Sequence, residues 1–170
     1  MTSYLHRINT NTPGPRDDVT PLFADYDALT QLVQDLAQPF NDLEIEYVAG
    51  IDALGFILGT ALALYFKVGF IAIRKGGKLP VETDQVHFVD YSGQQKALEL
   101  PTNALKPGER VLLADEWIET GTQLGAALEL IEGQGGIVAG IAAINIDDNE
   151  NTQKLRQKYQ CHSVMEEGRN

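Results

Sequence analysis

Residues 111–132 read VLLADEWIETGTQLGAALELIE, and the order of their parts decides the fold. Val111, Leu112, Leu113 and Ala114 make the continuous apolar run of a parallel strand covered on both faces. Asp115 and Glu116 stand at its end. The loop Glu119, Thr120, Gly121, Thr122 and Gln123 then opens a helix with Leu124, Ala127, Leu128 and Ile131 at helical spacing and Gly133 as its stop. Backbone NH groups at such a start attract phosphate. Adjacent carboxylates accept hydrogen bonds from paired hydroxyls and attract Mg²⁺ as hard oxygen ligands. A phosphorylated ribose fits this arrangement; the plainer alternative is a strand-turn-helix whose acidic residues favour the helix dipole.

Outward from this segment, strands and helices alternate. Tyr47 to Ile51 reads as a short buried strand, and the loop IDALGF (51–56) leads into a helix over 56–67. Phe56, Ile57, Ala61, Leu64 and Tyr65 give that helix a wide apolar stripe, and a strand at Gly69 to Ile73 completes a βαβ unit. Nearer the N-terminus, Leu29, Leu32, Val33 and Leu36 share one helical face that Pro39 ends. Residues 1–24 form an arm, irregular over its Thr-, Asn-, Pro- and Gly-rich first part.

Residues 74–95, RKGGKLPVETDQVHFVDYSGQQ, show little periodicity and are expected as a long mobile loop with room for a short hairpin. Long loops in compact domains are often active-site lids. Beyond them come a strand at 97–100, a Pro107-Gly108 turn, a buried strand at 136–146, a helix at 150–159 and a last strand at 161–164. The alternation predicts one α/β domain over residues 1–170, a largely parallel sheet flanked by helices with ligands beyond the carboxyl ends of its strands. The loops 51–56 and 114–123 should meet there, joined by Arg74, Lys75 and Lys78.

The 170 residues, 44% of them hydrophobic, suit a single core. A formal net charge of −11 argues against nucleic acid as a partner, because duplex binding relies on clustered Lys and Arg. Against that acidic background the cations at 74–78 stand out as a seat for a small anion. Cys161 is the only cysteine, which excludes an intrachain disulfide and suits a reducing compartment. No apolar run reaches the roughly 18 residues that span a bilayer, and the N-terminus lacks the apolar stretch of a signal peptide. A cytoplasmic protein that does not enter membranes is expected.

The segment 111–132 resembles the phosphoribosyl-pyrophosphate (PRPP) motif of type I phosphoribosyltransferases. With PRDDVTPLF (15–23), YVAGIDALGFILGTALA (47–63), VGFIAIRKGGKLP (68–80), ALKPGERVLLADE (104–116) and NTQKLRQKY (151–159), most of the chain is similar to the adenine-type branch of that family, in the family's order. The resemblance implies attack of a purine on C1 of PRPP with Mg²⁺, release of pyrophosphate, a nucleoside monophosphate as product, and a homodimer. It places Arg16 and Asp17 of the arm, acting as a hood, at the purine. Arg74, Lys75 and Lys78 would face pyrophosphate, where clustered cations offset a charged leaving group. Asp115 and Glu116 would hold the ribose hydroxyls, with Asp115 the tentative Mg²⁺ ligand, and residues 119–123 the 5′-phosphate.

The chain departs from the family where chemistry is expected. Leu54 replaces an Arg in IDALGF, and Gly93, Gln94 and Gln95 stand where the family has a Glu and a Tyr before the strand entry at Lys96. Gln94 does not titrate. Glu119 brings a carboxylate to an anion site, where each unit of phosphate charge about 4 Å away meets roughly 1 to 4 kcal/mol of repulsion. Its side chain either points to solvent or occupies the helix start and blocks the phosphate seat; the second arrangement is the expected one. Two functions follow: a purine phosphoribosyltransferase of weakened or altered activity, or a non-catalytic nucleotide-binding descendant.

Overall fold

A computed structural model describes residues 3–14, 16–90 and 92–165. Residues 1, 2 and 15 of the expected arm, and 91 of the expected loop, lie outside them. Among the described residues the strands are β1 (Tyr47–Ile51), β2 (Gly69–Lys75), β3 (Thr83–Val89), β4 (Gln95–Pro101), β5 (Arg110–Ile118), β6 (Ile137–Ile146) and β7 (Cys161–Ser163), and the α-helices are α1 (Thr20–Ala24), α2 (Tyr26–Ala37), α3 (Leu54–Phe66), α4 (Thr122–Gly133) and α5 (Glu150–Lys158); 3-10 turns lie at Ser3–Arg7, within the part of the arm expected to be irregular, and at Gln38–Phe40. One sheet runs in the order β3-β4-β2-β1-β5-β6-β7. β2, β1, β5, β6 and β7 are parallel, and β4 and β3 add antiparallel at one edge.

Alternation along the strands divides the core between two faces. Val48, Leu112, Ala114, Ala142 and Ile144 pack with Leu32 and Leu36 of α2 and Leu58 and Leu62 of α3. Their neighbours Ala49, Val111, Leu113, Ile141 and Ala143 pack on the other face with Leu124, Ala127 and Ile131 of α4. Both faces are covered, which is why these strands read as unbroken apolar runs. α3 lies so close to the sheet that a Cβ on Gly55 would fall 3.0 Å from both the Ala114 carbonyl and Asp115 Oδ1. The segment 51–56 therefore meets the segment 114–123 at Asp115, through the start of α3 and the end of β5.

Residues 74–95 differ from the expected long loop. β2 continues through Lys75, and β3 pairs with β4 over the full register Thr83–Pro101 to Val89–Gln95. Val86 and Phe88 alternate with polar residues and pack against the core of the α4 face, a period-two signal within a charged segment. The hairpin is fastened at its root by Gln134. Its Nε2 donates to Asp84 Oδ2 (2.7 Å) and the Pro101 carbonyl (2.9 Å), and its Oε1 accepts from the Leu105 NH (2.9 Å). No helix among the described residues is long and apolar enough to cross a membrane.

Candidate active site

β5 carries Asp115, Glu116 and Trp117 inside the strand rather than beyond it. Asp115 is buried at 4% exposure and accepts the Glu116 NH at 3.0 Å. Burial, with the neighbouring Glu116 carboxyl adding to it, pushes the Asp115 pKa well above the usual carboxylate range, against the opposing hydrogen bond from Gln123. A carboxyl held this way resists ionisation until a cation or hydroxyl donors arrive.

The following loop reaches α4 through Gly121, whose φ of 76° is left-handed and whose Cβ position lies 3.1 Å from Leu155 Cδ1. Glycine takes that conformation without the penalty of a side chain. Gly121 is the N-cap of α4 and has no side chain to cap it; the Thr122 NH makes a long 3.4 Å bond to Thr120 Oγ1, and the start of the helix still presents its amides to an anion. Thr120 Oγ1 and Thr122 Oγ1 are 2.9 Å apart beside them.

These residues line a cavity of about 610 Å³. Asp115, the whole loop 119–123, Arg16 from the arm and Lys75 from β2 share its wall. The hairpin supplies Gln85, Phe88, Asp90, Gln95 and Lys96, and β5 adds Trp117 and Ile118. Gln95 and Lys96 lie in the segment where the resemblance expects site residues, whereas Gln85, Phe88 and Asp90 do not follow from the motif reading; period-two alternation around Val86 and Phe88 is the signal that would have placed them. Asp90 accepts from the Ser92 Oγ (2.6 Å) and NH (2.9 Å) and the Gln94 NH (3.0 Å). The Ser92 hydroxyl first, with those amides and nearby Lys96, holds its pKa below the ordinary 3.8 against partial burial. An ionised carboxylate thus enters the cavity close to Gln94, which does not titrate. Trp117 both packs on the core and lines the cavity, its indole NH donating to Asp147 Oδ1 at 3.0 Å.

The expected basic cluster is not brought together. Because β2 extends through Lys75, Arg74 and Lys75 point to opposite faces of the strand. Lys75 lines the cavity and pairs with no carboxylate among the described residues. Arg74 Nε donates to Asp52 Oδ2 (3.1 Å), and its guanidinium lies 5.9 Å from the Phe56 ring centre. Lys78 is exposed outside the cavity wall. Asp17 and Glu116 are half-buried and also outside it, and Leu54 packs against the core.

The turn carrying Lys78 is held by Glu99, which is buried at 1% exposure. Its carboxylate accepts the NH groups of Gly77 (2.9 Å), Lys78 (2.6 Å) and Leu79 (2.7 Å) and the Gln85 amide (3.1 Å). Burial would raise its pKa, but these donors together hold it below the ordinary 4.5. The unfolded chain therefore binds this proton more tightly, so the stabilisation is complete above about pH 4.5 and is lost as pH falls toward the folded-state value. Glu99→Gln is expected to lower stability at pH 7 by about 1–3 kcal/mol, since an amide NH₂ turned toward backbone NH groups leaves donors unpaired. It should also flatten the acid limb of a melting-temperature profile; a variant with the parent's profile would refute this account.

Glu119 takes neither expected position. Arg16 Nε donates to its Oε1 at 2.5 Å and Arg16 Nη2 to its Oε2 at 2.6 Å. A two-pronged guanidinium–carboxylate pair outweighs the half-charge of a helix start, so the carboxylate does not block the amides of α4.

The sequence matches the phosphoribosyl transferase domain family over residues 24–167, and the chain belongs to that family. It is 39% identical over 142 residues, 82% of this chain and 80% of the relative, to an adenine phosphoribosyltransferase of Leuconostoc citreum. The crystal structure of adenine phosphoribosyltransferase from Rhodothermus marinus superposes with a TM-score of 0.85 at 32% identity, covering 95% and 94% of the two chains. The Saccharomyces cerevisiae enzyme, solved with D-2,5-dideoxy-2,5-imino-altritol 1,6-bisphosphate and adenine, gives 0.83 at 25% identity, covering 97% and 100%.

Proposed function

We propose that this protein transfers the 5-phosphoribosyl group of PRPP to a purine, with adenine the base suggested by its relatives. The observation that carries the reading is the shared cavity, in which the amides starting α4, the buried Asp115 and Lys75 lie together. The 5′-phosphate would sit on the loop 119–123, the ribose hydroxyls on Asp115 and Glu116, and the pyrophosphate toward Lys75. The purine nitrogen bonds to C1 as the C1–O bond to pyrophosphate breaks and pyrophosphate departs. Asp90, one of the carboxylates of the wall, would take the proton from that nitrogen. Arg16, on the arm, faces the same space.

Among the described residues no three or more His, Cys, Asp or Glu side chains converge to hold a metal. Mg²⁺ ordinarily takes one or two carboxylates and completes its shell with substrate oxygens and water, which suits the Asp115–Glu116 pair, Asp115 being the ligand we assign. The ion would offset the charge of the departing pyrophosphate. Pyrophosphate release from PRPP and adenine in the presence of Mg²⁺ tests the activity; no release with any purine would overturn it. The carboxylate plug that would have favoured a non-catalytic binding protein is not found, since Glu119 pairs with Arg16.

A homodimer of the cytoplasm completes the reading. α3 is apolar all round, and Ile57, Leu64 and Tyr65, one helical stripe, remain outside the core, Leu64 at 76% exposure. A helix of that kind calls for a covering surface. Leu64→Glu is expected to convert a dimer to a monomer by light scattering; a monomeric parent protein would refute the assignment.

A further inference from the structure

The arm and the phosphate loop are joined by the Arg16–Glu119 pair, and both residues face the cavity. Each is presented by a prepared backbone. Asn9 and Asp18 close the arm into a loop by two mutual backbone hydrogen bonds of 2.9 and 3.0 Å, and Thr12 Oγ1 donates to the Arg16 carbonyl at 2.6 Å. From the other side, Asn149 Nδ2, at the N-cap of α5, donates to the Glu119 carbonyl at 2.6 Å, and Asn151 Nδ2 to that of Thr120 at 3.2 Å. Each segment is thus shaped by its own contacts, and the side-chain pair joins one to the other.

Glu119 immediately precedes the residues whose amides attract an anion, where a bare carboxylate opposes phosphate. A guanidinium bonded through both of its prongs cancels that charge and fixes the direction of the carboxylate. We propose that Arg16 and Glu119 act as one charge-neutral clasp, each a positioning residue. Glu119 fastens the arm over the cavity, and Arg16 keeps the loop receptive to phosphate. The proposal rests on the phosphoribosyl reading above.

A cycle of variants in the full chain tests it, because residues acting as a unit give non-additive effects. Titration calorimetry with AMP and with ribose 5-phosphate supplies affinities. Hydrogen exchange over residues 3–18 reports whether the arm is fastened, without any ligand. Arg16→Met should weaken both ligands on the order of tenfold or more, by uncovering the carboxylate. Arg16→Met combined with Glu119→Ala should recover most of the ribose 5-phosphate affinity, and arm exchange should accelerate in both single variants. Unchanged arm exchange in Glu119→Ala, or a double variant binding ribose 5-phosphate no better than Arg16→Met, overturns the clasp. A parent protein that binds neither ligand overturns the phosphoribosyl reading instead, and the exchange result then still decides the fastening.

Discussion

Gly121→Val is expected to lower affinity for phosphate-bearing ligands on the order of a hundredfold, two hydrogen-bond equivalents of about 1.4 kcal/mol each. It should also destabilise the fold by about 1–2 kcal/mol, the cost of a left-handed conformation for a residue with a side chain. Gly121 has φ 76°, and even a Cβ there lies 3.1 Å from Leu155 Cδ1. Relief requires the loop to move, and the loop sets the direction of the first amides of α4. For a chain of this size each kcal/mol shifts the melting temperature by about 2–4 °C. Calorimetry with ribose 5-phosphate and a thermal melt separate the two effects; a destabilised variant of parental affinity would show that the amides do not seat phosphate.

Asp115→Asn with Glu116→Gln is expected to reduce turnover by about 10²–10³-fold, the usual effect of removing an aligned charge from a developing transition state. The same change should leave the protein as stable or more so. The buried Asp115 carboxyl titrates well above its ordinary 3.8 because burial disfavours its charge. The folded state therefore binds this proton more tightly than the unfolded chain, so stability declines as pH rises from about 3.8 toward the folded-state value. An amide of the same shape removes that decline. A variant less stable than the parent at pH 7 would refute the burial argument; one with parental turnover would remove the pair from the ribose site. Activity and stability pulling apart is the pattern of a site whose charge serves the reaction rather than the fold.

Most of the framework is legible in the sequence because the signals are local. Val111 to Ala114 and Gly136 to Ile146 read as buried strands, and the structure buries both faces of the first and of Gly140 to Ile144 in the second, while Ile137 at its start is exposed. Asp115 and the Thr120–Gly121 turn are readable for the same reason, since a motif is a contiguous arrangement. The hairpin is harder: Val86 and Phe88 are only two apolar positions among charged ones, and their pairing partners stand 12 and 8 residues away at Leu98 and Lys96. The basic cluster fails on a parity rule. Counting Arg74 and Lys75 as loop residues makes them neighbours, whereas a strand sends them apart.

Glu119 is the clearest case of information that no local reading holds. Its partner Arg16 lies 103 positions earlier, in an arm without helical or strand periodicity. Treated alone, the carboxylate has only solvent or the helix start to choose between. Folding supplies a third option, and with it the reason a negative residue is tolerated beside an anion loop.

The three bonds made by Gln134 give the hairpin wall the mechanics of a cantilever. Its root is riveted to the far end of α4 through Asp84, Pro101 and Leu105, while at the other end Asp90 is bonded to Ser92 and Gln94 and paired with Lys96 of the hairpin itself. A load applied by cavity contents bears on the tip and is carried along two paired strands to the helix whose opposite end faces the same cavity. The helix and the hairpin joined to it thus meet the contents of the cavity from two sides.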